Sequence, residues 1–394
     1  MTAVGIIAEY NPFHLGHQYQ LRALRYQLGE ELGVVAVMSG NFVQRGDFAL
    51  LPKHLRAEMA LRCGVDLVLE LPTVYAMAGA ETFARGGVAI LQAAGAVDYL
   101  AFGSECGDLP LLERVAACLD SEGYRTLLRR FLDEGTPYAA ARQAAVQSLL
   151  GEAADCLSHP NNNLAVEYLR ALRSLGAAME PVTVRRTGAA HDSGEDGEIV
   201  SASRIRSAVG EGEDPGRCPP EPAAEILRAP QALELAPASA ACGERAVLAV
   251  LRRMEPKAFR PFDSGGEGLY RRLYQASREA VSLEDLLERL KTKRYPTARL
   301  RRMILAAYLN LECPPDRPPY LRVLGANSRG RELLRQMKQR ASLPVLTKGA
   351  DVRKLGSEAE RFFRAEARCT DLYALACPNP PAPGAEYRTD PVIL

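Results

Sequence analysis

The sequence predicts an α/β protein in which a doubly wound parallel sheet is followed by a mainly α-helical C-terminal domain. Short apolar runs alternate with amphipathic segments over the first 210 residues, which is typical of parallel strands joined by helices. Residues 211–241 contain six prolines and have the composition of a linker. Apolar residues then recur at helical spacing to about residue 375. We therefore predict two domains, 1–210 and 242–394, on either side of this linker.

Five apolar runs of the first domain have the length expected of buried strands. They are residues 3–8, 34–38, 67–71, 99–102 and 181–185. Helical spacing predicts a helical insertion within 107–157 and helices at 18–28, 53–63, 81–95 and 164–175. In the C-terminal domain it predicts helices at 244–254, 268–276, 283–290, 297–311 and 329–339. The Pro-rich tail from residue 378 is expected to be extended.

The segment between the first strand and the first helix has the composition of a ligand-binding turn. Asn11-Pro12 favours a turn, and Gly16 lets a ligand or a neighbouring backbone come close. His14 and His17 are three residues apart, so they project from one side of the first helical turn. Because a helix N-terminus favours anions, two imidazoles there indicate a phosphate site. A metal site, or histidines that only satisfy the turn, are the alternatives.

A second polar motif lies near the end of the first domain, where Ser201, Ser203 and Arg206 follow an apolar pair and open a helix. Imidazole, guanidinium and backbone N–H groups can stabilise the charge that develops on phosphate oxygens during a reaction. The predicted catalytic residues are therefore His14, His17, Ser203 and Arg206. A helix cap is the alternative role for Ser203, and a surface ion pair is the alternative for Arg206.

Five further residues of this domain are candidates for nucleotide contacts. Gly103 ends a predicted strand, where it forms either a tight turn or a bare backbone surface for adenosine. Asn161 and Asn162 precede a predicted helix, where they either cap it or contact a base or ribose. Arg185 and Arg186 end the last predicted strand, either as a basic rim or as a second nucleotide contact.

The composition excludes several classes of protein. The chain has 394 residues, of which 47% are hydrophobic and 25% charged, as in soluble globular proteins. No apolar stretch has the length of a membrane span, and the N-terminus lacks the features of a secretory signal. Nine scattered cysteines without a CxxC pair are expected to be mostly reduced core residues. We therefore predict a cytoplasmic protein without membrane contact, disulfide frame or protein-bound metal site.

Charge is unevenly distributed along the chain. Residues 1–210 carry 18 basic and 24 acidic side chains, a net charge of −6, whereas residues 211–394 carry 31 and 24, a net charge of +7. Within this second part, residues 245–368 hold 28 basic and 14 acidic side chains, a net charge of +14. Such an excess is typical of a nucleic-acid-binding surface. Ordinary helix surfaces rich in arginine are the alternative.

Eight stretches spread over nearly the whole chain form a specific combination. They are VGIIAEYNPFHLGH (4–17), MSGNFVQRGD (38–47), LVLELP (67–72), FGSE (102–105), HPNNNLAVEYL (159–169), SASRIR (201–206), KTKRYPTARLRRM (291–303) and LTKGADVRKL (346–355). Together they resemble the bacterial tRNA(Met) cytidine acetate ligase family, within the nucleotidyltransferase superfamily that carries an HxGH pattern. The resemblance implies a Rossmann-like nucleotidyltransferase domain. It also implies an enzyme that uses ATP, with Mg²⁺, and acetate to make N4-acetylcytidine at the wobble position of elongator tRNA(Met).

The resemblance also implies which residues bind the substrates. The implied ATP contacts are Ile7, Ala8, Glu9, Tyr10, Asn11, Pro12, Phe13, His14, Leu15, Gly16, His17, Gln18, Tyr19, Gln20, Gly103, Asn161, Asn162, Arg185 and Arg186. Two basic clusters of the C-terminal half are expected to hold the anticodon stem-loop of the tRNA. These clusters are Lys291, Lys293, Arg294, Arg299, Arg301 and Arg302, and Lys348, Arg353 and Lys354. No obligate protein partner is implied.

Two other functions remain as alternatives. The first is a nucleotidyltransferase that acts on a small phosphorylated metabolite, which would have no need of the basic segment 245–368. The second is a non-catalytic RNA-binding protein with a relic nucleotide fold. The presence of His14, His17 and Ser203 together speaks against such a relic.

Overall fold

The computed structural model describes residues 1–186, 201–214, 216, 218–263, 266, 268–292 and 294–394. Lys293 and a polar loop predicted at 188–198 lie outside the described residues. The strands are β1 (Ala3–Ala8), β2 (Gly33–Ser39), β3 (Phe42–Val43), β4 (Asp47–Phe48), β5 (Leu67–Leu71), β6 (Tyr99–Ser104), β7 (Glu180–Arg185), β8 (Leu321–Ala326), β9 (Val345–Leu346) and β10 (Val392–Ile393).

Helices connect these strands and make up most of the C-terminal half. They are α1 (Leu15–Leu28), α2 (Lys53–Arg62), α3 (Thr73–Ala76), α4 (Ala80–Ala94), α5 (Leu109–Asp120), α6 (Glu122–Asp133), α7 (Tyr138–Leu150), α8 (Pro160–Leu175), α9 (Ala202–Gly210), α10 (Glu221–Arg228), α11 (Pro230–Leu235), α12 (Ala240–Arg253), α13 (Leu269–Glu279), α14 (Leu283–Leu290), α15 (Thr297–Leu309), α16 (Ser328–Arg340), α17 (Ser357–Ala374) and α18 (Ala385–Arg388). Three 3₁₀ segments lie at Gly151–Ser158, Pro256–Phe262 and Gly349–Leu355.

The main sheet confirms the predicted doubly wound α/β fold. All five predicted strands are present and form one parallel block in the order β5-β2-β1-β6-β7. The sheet continues beyond β5 with β8, which runs antiparallel to it, and with β9 and β10 beside β8. These three short strands come from the C-terminal half, where the sequence predicted a mainly α-helical domain.

Alternating residues of the parallel strands form two apolar layers. On one face, side chains such as Ile6 and Met38 pack against helices α1 and α2. On the other face, side chains such as Val37 and Leu69 pack against α4, α8 and α16, with α5–α7 stacked beside α8. Burying both faces of a parallel sheet requires apolar residues at almost every strand position, which explains the continuous apolar runs in the sequence.

A separate apolar core joins the helices of the C-terminal half, α12–α15 and α17. The short hairpin β3-β4, which belongs to the N-terminal half, inserts Phe42 and Phe48 into this core. The segment predicted to be a linker contains α10 and α11, and α10 packs against α2. The division of the chain at residues 210 and 241 stays a prediction.

Among the described residues, no helix is both long and apolar enough to cross a membrane. All nine cysteines are free thiols, and five of them are buried, as the sequence predicted.

Candidate active site

The turn between β1 and α1 is held in place by contacts with its surroundings. The side-chain oxygen of Asn11 accepts a hydrogen bond of 2.7 Å from the Leu50 backbone N–H. Tyr10 has a positive φ of 43°, and its buried ring packs against Phe13 and His17. A positive φ is uncommon outside glycine, so tertiary contacts must stabilise this conformation. They place the first turn of α1 at the carboxyl end of β1, where open α/β sheets bind ligands.

His14 and His17 form a reciprocal cap at the start of α1. The Nδ1 atom of His14 accepts from the Gly16 N–H at 3.0 Å, and the Nδ1 atom of His17 accepts from the His14 N–H at 3.2 Å. The two rings are stacked with centroids 3.8 Å apart. Because both Nδ1 atoms accept, the neutral rings carry their protons on Nε2. The histidines therefore satisfy the turn and also offer two parallel N–H donors to an anion.

Both imidazoles are neutral at pH 7 in the ligand-free protein. Burial lowers the pKa of His14 to about 4, with further contributions from the positive charges of Arg186 and Arg206. Burial also holds the pKa of His17 well below its usual range, helped by His14 and Arg186. Arg186 and Arg206 give the site an excess of positive charge. A phosphate bound beside the two histidines would offset this charge with its own negative charge.

The second sequence motif is brought to the same turn. The Nη1 atom of Arg206 donates to the Asn11 carbonyl oxygen at 2.8 Å, and Nη2 donates to the Ser203 hydroxyl at 3.2 Å. Burial lowers the pKa of Arg206, while the carboxylates of Glu9 and Asp47 act in the opposite direction. The Ser203 side chain is exposed and does not cap α9. The structure thus groups the four predicted catalytic residues at one edge of the sheet.

Gly103 and Arg186 meet at the adjacent strands β6 and β7. A Cβ atom at Gly103 would lie 3.3 Å from the Cγ atom of Arg186, so the arginine side chain lies across this glycine. The Arg186 N–H donates to the Ser104 carbonyl at 2.9 Å. Arg185, on the opposite side of the strand, packs against Gly107. Of the two arginines, Arg186 is the one whose charge reaches His14 and His17.

Asn161 and Asn162 connect the start of α8 to the loop after β6. The Glu105 carboxylate accepts from both their backbone N–H groups, at 3.1 and 2.7 Å, and from the Asn161 side chain at 2.7 Å. The buried Asn162 side chain accepts in turn from the N–H groups of Glu105 and Cys106. Glu105 is therefore the cap of α8, a role that the sequence left open for the asparagines as one of two alternatives. Their contact with a nucleotide stays a prediction.

Arg56 is a structural element of the site that sequence reasoning missed. It is fully buried in α2 and donates to the carbonyl oxygens of Glu9, Ser39, Gly40 and Leu51. These carbonyls lie at and beyond the carboxyl ends of β1 and β2, so one guanidinium ties together the loops that follow both strands. The spacing of apolar residues along α2 carries no signal for this role, because a charged residue is normally assigned to a solvent-facing position.

The remaining residues of 7–20 occupy three environments. Ile7 and Phe13 belong to the apolar core, and Ile7 packs against Gly87. Tyr19 is exposed. The partly exposed residues are Ala8, Glu9, Leu15, Gly16, Gln18 and Gln20. Among the described residues, no group of three or more His, Cys, Asp and Glu side chains is arranged to hold a metal ion.

The predicted tRNA-binding residues differ in their environments. Arg301, Lys348 and Arg353 are exposed. Lys291 pairs with Glu288, and Lys354 lies 2.7 Å from Asp351. Arg299 and Arg294 lie over the ring of Tyr295 at 4.8 and 5.8 Å. Arg302 is partly buried and donates to the Gln44 carbonyl oxygen at 2.9 Å.

Comparisons with known proteins find similar proteins over the whole length of the chain. The family model described as HIGH Nucleotidyl Transferase matches residues 1–386. The chain is 38% identical to the tRNA(Met) cytidine acetate ligase of Thermoanaerobacter sp. (strain X514), with 98% of each chain covered. It is 40% identical to the protein of that name from Syntrophotalea carbinolica, over 96% of this chain and 95% of the relative. Two crystal structures of Thermotoga maritima TmcAL, apo and bound with alpha-thio ATP, superpose with TM-scores of 0.94 and 0.91 at 32% identity, and each comparison covers both chains completely.

Proposed function

Since this chain belongs to the HIGH nucleotidyltransferase family and, within it, to the tRNA(Met) cytidine acetate ligases, we propose that it joins acetate to a cytidine of tRNA(Met) at the expense of ATP. It is an ATP-dependent ligase that forms a C–N bond. The target is the exocyclic amine N4 of the wobble cytidine in elongator tRNA(Met), and the product is N4-acetylcytidine.

The observation that carries this proposal is the stacked His14–His17 pair, with its two Nε2–H donors, next to Arg206 at a helix N-terminus. Acetate alone is a poor electrophile. In the first step a carboxylate oxygen of acetate attacks the α-phosphorus of ATP, and the bond to pyrophosphate breaks. The charge of Arg206 and the Nε2–H donors of the neutral His14 and His17 stabilise the negative charge that develops on the phosphate oxygens, without forming a covalent bond to the nucleotide.

In the second step the N4 lone pair attacks the carbonyl carbon of acetyl-AMP. The carbon–oxygen bond to AMP breaks, and the amine loses a proton to solvent. Cytosine N4 is a weak nucleophile, so this step depends on positioning the base beside the adenylate. A wobble base is readily splayed out of a single-stranded loop, and the exposed cations Arg301, Lys348 and Arg353 suit the tRNA backbone.

Several finer statements belong to the same proposal. Acetate is the acyl donor, and the loop 39–47 is the favoured wall of its pocket. Mg²⁺ would accompany ATP as part of the substrate. It would supply positive charge to the phosphates alongside His14, His17 and Arg206. The ligase works in the cytoplasm without an obligate protein partner. The residues of 7–20, with Gly103, Asn161, Asn162, Arg185 and Arg186, surround the nucleotide.

An ATP–pyrophosphate exchange assay tests the proposal directly. Exchange should require acetate and no tRNA, because acetyl-AMP forms before the tRNA reacts. A nucleotidyltransferase for a small phosphorylated metabolite would show no exchange with acetate, and a non-catalytic RNA-binding protein would show none with any acid. Modification of tRNA by acetyl-CoA in the absence of ATP would contradict the adenylate mechanism.

A further inference from the structure

Gln44 lies between the candidate active site and the helical half of the protein. Its backbone N–H donates to the Oε1 atom of Glu9 at 2.8 Å. Its carbonyl oxygen accepts from the Nη1 atom of Arg302 at 2.9 Å. Glu9 directly follows β1, and Arg302 lies in α15. Gln44, in the β3-β4 hairpin, therefore connects the Glu9 side chain at the end of β1 to the Arg302 side chain in α15.

The hairpin cannot move away from α15 without disturbing packing. Gly46 has a φ of +74°, and a Cβ atom there would lie 2.5 Å from the Arg302 backbone nitrogen. On either side of it, Phe42 and Phe48 are buried in the helical core, where both rings pack against Tyr373. The backbone of α15 at Arg302 therefore packs directly against Gly46. This close approach fixes the position of the Arg302 guanidinium.

The carboxyl of Glu9 lies within electrostatic reach of Arg206, one of the predicted catalytic residues. Burial raises the pKa of its carboxyl, while the Gln44 N–H and the charges of Arg206 and Arg56 stabilise the ionised form. Arg206 in turn holds the Asn11 carbonyl. A shift of Gln44 would remove a hydrogen bond from Glu9 and change the electrostatic environment of Arg206. The loop that follows β2 is therefore linked, through Glu9, to the charge of Arg206.

We propose that Arg302 is a positioning residue for the nucleotide site, which acts through Gln44 on the Glu9 carboxylate and does not bind tRNA phosphates. This assignment differs from the role predicted from the basic cluster of the sequence. Burial lowers the pKa of Arg302, and its Nη1 atom is already engaged by a carbonyl oxygen, whereas a phosphate contact needs an exposed cation. Its neighbour Arg301 is exposed and remains a candidate for the tRNA.

The test uses the full-length protein without tRNA. ATP affinity is measured by calorimetric titration for the wild type, Arg302→Met, Arg302→Lys and the control Arg253→Met, which removes an exposed arginine from α12. Loss of a hydrogen bond in a charged network should raise the Kd for ATP roughly tenfold in Arg302→Met. Arg302→Lys, which keeps one donor, should recover part of the affinity, and the control should match the wild type.

Gly46→Ala gives an independent variant that retains every charge. Its methyl group would displace α15 from the hairpin, so it should also weaken ATP binding measured without tRNA. An Arg302→Met protein with wild-type ATP affinity but weaker tRNA binding would overturn the proposal, because Arg302 would then be a phosphate contact. Arg302→Lys decides the question if Arg302→Met does not fold.

The positioning role of Arg302 rests on the proposed acetate ligase function only for its effect on catalysis. The role of Arg302 and the ligase function can therefore fail separately. In acetate-dependent exchange, the KM for ATP of Arg302→Met should rise in parallel with its Kd. If the wild type binds ATP but shows no exchange with acetate, the acetate ligase proposal fails. The ATP affinities of the variants still decide the role of Arg302 in that case.

Discussion

The Nζ atom of Lys53 lies 2.6 Å from the Glu386 carboxylate, inside the protein, and 2.6 Å from Glu70. Lys53 begins α2, Glu70 belongs to β5, and Glu386 lies in α18 close to the end of the chain. Burial alone would raise the pKa of Glu386, but the charges of Lys53 and Arg322 lower it to about 2. An ionised buried cluster therefore fastens the C-terminal segment to the sheet.

We expect Glu386→Ala to destabilise the protein by about 3–5 kcal/mol, because it removes the carboxylate that pairs with the buried Lys53 and Arg322. Urea unfolding of the ATP-free protein measures the free energy. The control Glu360→Ala removes an exposed pair with Arg364 and should change stability by less than about 1 kcal/mol. Equal unfolding midpoints for Glu386→Ala and the wild type would refute a structural role for the cluster.

His17→Ala should remove most acetate-dependent ATP–pyrophosphate exchange while the protein remains folded. One transition-state donor contributes on the order of 3 kcal/mol, which is roughly a hundredfold in rate. His159→Ala is the matched control, because His159 is exposed and its side chain caps no helix. Wild-type turnover in a folded His14→Ala/His17→Ala double variant would show that the imidazoles are not phosphate contacts.

Acid should destabilise the ATP-free protein through His14. Its pKa is about 4 in the folded state and about 6.5 when unfolded, so between these values the unfolded chain binds more protons. The free energy of unfolding is therefore unaffected by this ring above pH 6.5. It falls as the pH is lowered towards 4, by up to about 3 kcal/mol. His14→Gln should reduce this acid dependence of the unfolding free energy. A slope that is identical in His14→Gln and the wild type would contradict the burial of a neutral imidazole.

Neutralising Arg301, Arg353 and Lys354 together should weaken tRNA binding. For every tRNA phosphate that loses its cation, the slope of log K against log salt should become shallower by roughly 0.7–0.9. Exchange without tRNA should stay near the wild-type rate, because none of the three residues is among the predicted nucleotide contacts. An equal loss of charge at the exposed residues Arg22, Arg114 and Arg129 is the control. If the triple variant binds tRNA normally at several salt concentrations, the RNA is held by other residues.

The local structure of the N-terminal half follows from residue patterns. The predicted strand 67–71 coincides with β5, and the predicted strand 3–8 coincides with β1, because strands buried on both faces need uninterrupted apolar runs. β8 was missed, since its buried Arg322 interrupts the apolar run and its short length resembles a helix segment. The tail predicted to be extended contains α18, whose Glu386 is buried by partners that no local pattern indicates.

The sequence by itself predicted phosphate chemistry for the site, because imidazole, hydroxyl and guanidinium groups stand in two motifs at helix starts, where anions are favoured. Only the tertiary structure decided which polar groups are already occupied. The Asn162 side chain accepts a hydrogen bond from the loop after β6, and Arg302 donates one to the Gln44 carbonyl oxygen. Glu386 forms an ion pair with Lys53. A hydrogen bond or ion pair between distant segments depends on how the elements pack, and residue spacing along one element carries no information about the partner that packing brings to it.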